Sequence, residues 1–146
     1  MANNEEITPE RWEELTALIA RPFKEVGLVC LRGLGHFETQ FNIAHKVKYH
    51  SPTGMEWGYR GSGPSDLALN VICELVKAKG NTTKVGHNRV PRLAVLLYVE
   101  LRDKFIAPIP SYGGHVPIEE LISFVRERAA YWNEVIELKN EPQVNG

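Results

Sequence analysis

The sequence predicts an α+β fold, a small, mainly antiparallel sheet of about three strands packed by about four helices. Three observations carry this. The chain has 146 residues, 43% hydrophobic and 24% charged, which suits one domain spanning residues 1–146 with a core of its own. Two longer segments read as strands, one apolar on both parities and one alternating. Four further segments place apolar residues at helical spacing after proline starts, the first two closed by Pro22 and Gly80.

In chain order, Thr8-Pro9-Glu10 opens a helix over 8–21, with Thr8 as cap and Pro9 at the first helical position. Trp12, Leu15, Leu18 and Ile19 form its stripe, and Pro22 ends it. Val26 to Leu31 follows as a buried strand, and Gly33-Leu34-Gly35 as a turn. From Phe37 to Tyr49, odd positions are mostly apolar and even ones polar. At roughly 3.3 Å per residue, that segment would cross a domain of this size, so a bulge or break is expected near Asn42–Ala44. Residues 65–79 form the second helix, with Leu67, Ala68, Val71, Ile72, Leu75 and Val76 inward and Gly80 as stop. Residues 80–90 read as an exposed basic loop, 91–104 as a third helix and Phe105–Ile109 as a short edge strand between prolines. The last helix runs from Ile118 to about Leu138, and a frayed tail follows over 139–146.

Composition excludes several classes. No apolar run reaches the roughly 18 residues of a membrane span, and MANNEEITPE is neither a signal nor a transit peptide. Cys30 and Cys73 lie far apart without a CxxC spacing, which fits a reducing cytoplasm. A formal charge of −1 excludes a wholly basic binder. Charge is nonetheless uneven: residues 36–92 hold eight basic and four acidic side chains, while the remainder holds nine basic and fourteen acidic. An anionic partner for the middle of the chain follows as an expectation.

The segment His50 to Leu67 concentrates the signals. Gly54, Gly58, Gly61 and Gly63 permit tight turns or close backbone approach, and Pro64 stands at the expected helix start. A glycine-rich turn entering a helix offers N–H groups to an anion. Trp57 and Tyr59 are candidates to stack a base, Arg60 to pair with phosphate, and Gly61, Ser62 and Gly63 to supply amides. Lys84 and Arg89, in Lys84-Val85-Gly86-His87-Asn88-Arg89, add charge from the basic loop. Equally, the glycines let Trp57 and Tyr59 pack inward while Asp66 caps its helix. The spacing is neither a P-loop nor GxGxxG.

His50-Ser51-Pro52-Thr53-Gly54, Glu56-Trp57-Gly58-Tyr59, Gly61-Ser62-Gly63-Pro64 and Leu67-Ala68-Leu69 resemble the signature of the domain-of-unknown-function family 6166. The likeness is specific over about 50–70 and extends more weakly over 28–125, leaving the helix at 8–21 as an addition. It implies a compact α+β unit carried by bacteria, phages and plasmids, and no activity. It also implies glycine where this chain has Arg60, so an Arg60 contact is particular to this protein.

Other chemistry is poorly supported. His36, His45 and His50 do not share a strand face, His87 sits apart, and no HxH or HExxH spacing exists, so no metal is expected. Ser62 lacks the GxSxG elbow. The expected function is a non-enzymatic binding module for a nucleotide or nucleic acid, without cofactor, in the cytoplasm, as an accessory protein of a mobile element. Two alternatives stand beside it. One is an anti-defence, anti-CRISPR-like inhibitor acting by contact with a host or phage protein; the other is a small nucleotide hydrolase with Glu56 or Asp66 as base. Tyr131 and Trp132 are the candidate homodimer contact.

Overall fold

A computed structural model describes residues 6–33 and 38–139. Most of the predicted turn after Gly33, the strand start at Phe37, His36 and residues 140–146 lie outside them. The architecture is α+β, in the order α1 (Pro9–Ile19), α2 (Phe23–Val26), β1 (Gly27–Arg32), β2 (Thr39–Phe41), α3 (Ser62–Leu75), β3 (Thr82–Val85), β4 (Asn88–Pro91), α4 (Arg92–Leu101), a π-helical turn (Arg102–Ile106), β5 (Gly113–Pro117) and α5 (Ile118–Tyr131).

β1 lies at the centre of an antiparallel sheet ordered β2-β1-β5, with Cys30 opposite Phe41 and Val29 opposite His115. It is apolar on both parities because both faces are covered. Val29 and Leu31 pack with Leu15 of α1 in a small core, whereas Leu28 and Cys30 face the main core. There Leu67 and Ile72 of α3, Leu97 and Leu101 of α4 and Leu121 of α5 are fully buried, each contributing about 1.5–3 kcal/mol. α1 starts as its sequence dictates: Thr8 Oγ1 accepts a bond from the Arg11 amide (3.1 Å), and Pro9 opens the helix.

The long alternating segment does break. β2 ends at Phe41, and Asn42 stands in for the next strand residue. Its Oδ1 accepts from the Val29 amide (2.8 Å) while its Nδ2 donates to the Gly27 carbonyl (2.7 Å). The expected loop at 80–90 is instead the hairpin β3–β4. Gly86, at φ 59°, takes the first position of its two-residue turn, where a positive φ matches the twist of the strands. The expected strand at Phe105–Ile109 is helical instead: α4 runs on into the π-helical turn, where the Ala107 amide bonds the Arg102 carbonyl (2.8 Å).

The strand that completes the sheet is β5, which pairs with β1 from Gly27–Pro117 to Leu31–Gly113. α3 begins at Ser62 with Gly61 as its cap, so Pro64 is its third residue. It ends at Leu75 because Val76 turns extended and bridges Leu138. α5 stops at Tyr131, short of the expected Leu138, and Asn133 at φ 55° turns the chain back toward that bridge.

Candidate functional site

α3 presents two polar side chains one turn apart, Asp66 and Asn70, toward residues 45–51. Both are buried, Asp66 completely. A carboxylate in that position requires donors on its oxygens. Residues 45–51, which have left the sheet, supply them. Asp66 accepts from the amides of Tyr49 (3.2 Å), His50 (2.8 Å) and Ser51 (3.1 Å) and from the His45 ring (Nε2, 2.9 Å). Asn70 Oδ1 accepts from the amides of Lys46 (3.0 Å) and Val47 (2.9 Å), and its Nδ2 donates to the Val47 carbonyl (2.8 Å). One helix face therefore does the work of a neighbouring strand for the 45–51 backbone. Asp66 does not cap its own helix.

The glycine-rich stretch is folded against the same helix. A Cβ on Gly63 would lie 2.7 Å from Glu56 Cβ, and one on Gly61 would lie 2.6 Å from the Tyr59 ring. These glycines answer to crowding. Of the amides around 61–66, Pro64 has none and that of Ser65 bonds the Gly61 carbonyl (2.9 Å). Gly63 is buried, which narrows the expected amide cradle further.

Trp57 is only 2% exposed. Its Nε1 donates to the Pro110 carbonyl (2.8 Å), Phe41 meets it edge-on, and the Arg32 guanidinium lies 4.6 Å from its ring centre. The expected stacking role for Trp57 is thus closed off, whereas Tyr59 is 44% exposed. Arg60 Nε approaches Asp103 Oδ1 (3.5 Å), which also accepts from Arg102 (2.9 Å). Neither carboxylate named as a candidate base is placed for that work: Glu56 is held by Arg32 through two bonds (2.7 and 3.3 Å), and Asp66 is saturated.

Lys84 and Arg89 sit elsewhere, opposite one another across the hairpin. Tyr59, Arg60, Gly61, Ser62 and Gly63 lie at or just before the start of α3; Arg89 lies within the hairpin, where its Nε donates to Thr82 Oγ1 (3.2 Å). Residues 75–99 contain five cationic side chains and no carboxylate. Three of the five pair at the rim, Lys77 and Lys79 with Glu137 and Arg92 with Glu134; on the 45–51 segment, Lys46 pairs with Glu74. The two lysine bonds to Glu137 hold its carboxyl below the usual carboxylate range. Among the described residues, Lys48, Lys84 and Arg89 pair with no carboxylate. The hairpin turn lies against the backbone of the 45–51 segment: a Cβ on Gly86 would stand 3.7 Å from the Lys48 carbonyl oxygen. A cavity of about 170 Å³ beside the hairpin is lined by Lys46, Asn70, Arg89 and Lys139.

Next to Lys48 runs a row of rings. Tyr49 and His50 have centroids 4.5 Å apart, and His50 and Tyr98 of α4 are 5.0 Å apart. Tyr49 is 54% exposed. His50 Nε2 is buried without a hydrogen-bond partner in the described structure, and the ring packs between Tyr49 and Tyr98. Sequence reading singled out none of Lys48, Tyr49 and Tyr98, because 37–49 reads as one strand and 91–104 as a core helix. The alternation Lys46-Val47-Lys48-Tyr49 was the available signal. Both thiols are muted: burial pushes Cys30 far up, and pushes Cys73 up to about 11 despite Lys139 nearby.

The residues that build this surface fall within one family. The chain belongs to the family of unknown function DUF6166, whose sequence model matches residues 28–108. The match takes in β1, the 45–51 segment, the glycine-rich stretch, the hairpin and α4; α1, β5 and α5 lie outside it. No curated protein and no solved structure matches the chain.

Proposed function

We propose that this protein is a non-enzymatic binding module for nucleic acid, held on the face formed by the β3–β4 hairpin and residues 45–51. The observation that carries the reading is the distribution of unpaired charge. Around the glycine-rich stretch each cation meets a carboxylate, Arg32 with Glu56 and both Arg60 and Arg102 with Asp103. Among the described residues, Lys48, Lys84 and Arg89 at and beside the hairpin have none, and such side chains release counterions from a phosphate backbone when they bind it. The mobile-element setting implied by the family resemblance suits an accessory factor of this kind.

The test is fluorescence anisotropy of labelled oligonucleotides titrated with the intact protein at several salt concentrations. Three phosphate contacts give a slope of log K against log salt of about −2 for a single strand, or roughly a 20-fold loss between 50 and 200 mM. Lys84→Ala/Arg89→Ala removes two of the three contacts, and its slope falls to about −0.7. Absence of salt-dependent binding, or a double variant that binds as tightly as the parent, overturns the proposal. Co-purification with a host protein in place of oligonucleotide binding would favour the inhibitor reading.

A further inference from the structure

We infer that the nucleic acid taken by this face is single-stranded, with a base stacked on Tyr49 while its phosphates follow Lys48, Lys84 and Arg89. This rests on the proposed function and adds an independent observation, the ring row. Tyr49 leaves 54% of its surface in water, directly after an unpaired lysine in the chain. Nothing in the core requires an aromatic residue there.

Its position is nonetheless fixed from both sides. The Tyr49 amide bonds Asp66 (3.2 Å), as does the next amide (2.8 Å), so the backbone beneath the ring is anchored to α3. Laterally, the ring rests against His50, which leans on Tyr98 with an interplanar angle of 35°. An anchored, exposed ring beside unpaired cations has the two parts of a single-strand site, a stacking platform and a positive track. In a duplex both faces of each base are already stacked on neighbours, so Tyr49 has no face to meet without opening the helix. A mononucleotide reaches the ring but leaves most of the positive track unused.

The experiment uses the full chain with two labelled probes, an oligothymidylate of roughly 15 nucleotides and a mixed-sequence duplex of matching length. Tyr49→Ala is expected to weaken the oligothymidylate by about 5- to 150-fold, the range of one base–aromatic stack. Tyr49→Phe, which keeps the ring, should bind like the parent, and duplex affinity should be unchanged by either substitution. An equal loss on both probes, or no loss on either, overturns the inference. If the duplex binds with a salt slope that Lys84→Ala/Arg89→Ala reduces while Tyr49→Ala changes nothing, this inference fails and the proposed function stands. If neither probe binds, both fail.

Discussion

Replacing Asp66 by alanine tests the most consequential contact in the interior. The carboxylate is fully buried and takes bonds from three main-chain amides and the His45 ring, at 2.8–3.2 Å. Hydrogen bonds to a charged group are worth about 1.5–3 kcal/mol each, yet four such terms overstate the loss, because the released 45–51 segment regains water. Each buried donor left without an acceptor costs about 1–3 kcal/mol, so with part of that regained from water the expected loss for Asp66→Ala is about 3–5 kcal/mol. Domains of this kind hold only about 5–15 kcal/mol in total, so the variant should be folded but fragile. Urea unfolding would read the loss as a lower midpoint at nearly constant slope. Native-state amide exchange would show Tyr49, His50 and Ser51 losing protection together. Asn70→Ala should act on the same segment, so the double variant should cost less than the sum of the singles. A loss below about 1 kcal/mol, with exchange at 49–51 unchanged, would refute the anchoring argument.

Two further outcomes follow from the geometry. Gly63→Ala places a methyl 2.7 Å from Glu56 Cβ and 3.2 Å from its amide nitrogen. It should destabilise by about 1–3 kcal/mol through overpacking, seen as a lower urea midpoint. Thiol titration should find Cys73 slow at pH 8, since a pKa near 11 leaves only about one thiolate in a thousand. Cys30 should react only after denaturation releases it from the core. Rapid modification of native Cys30 would contradict its burial, and rapid modification of Cys73 at pH 8 would contradict its raised pKa.

What the sequence made legible was the part governed by local chemistry. β1 announced itself by being apolar on both parities, because two cores cover it, and α1 by its Thr8-Pro9 start. The break after Phe41 was readable from length alone. The hairpin was not, since its turn is Gly86-His87 without the usual Asn-Gly signal, and Thr82, Lys84 and Arg89 dilute the alternation. β5 reads Gly-Gly-His-Val-Pro, a poor strand by propensity that pairing with β1 imposes. At the site, the glycines of 58–63 drew attention to chemistry, whereas Gly61 and Gly63 relieve crowding by Tyr59 and Glu56 and Gly58 turns the chain at φ 88°. The better clue was Asp66 with Asn70, a polar pair four residues apart on a buried helix. Its partners at 45–51 could not be deduced from spacing, because the contact is made only when the sheet and α3 come together.

On the proposed reading, the same anchor joins stability to recognition. Lys48 and Tyr49 occupy the surface, yet the backbone that presents them is fastened by Asp66 and Asn70 from within. Lys84 and Arg89 come from an independent hairpin whose own ladder holds them. The two kinds of variant should therefore part company. Lys84→Ala/Arg89→Ala should weaken binding while the urea midpoint stays within experimental scatter, because exposed cations contribute little to folding. Asp66→Ala should lower both, and its loss of oligothymidylate affinity should persist at low temperature, where the variant remains folded by circular dichroism. If folded Asp66→Ala binds as the parent does, the rings are not positioned by the buried carboxylate. The link from interior to surface would then be broken, even with the fold intact.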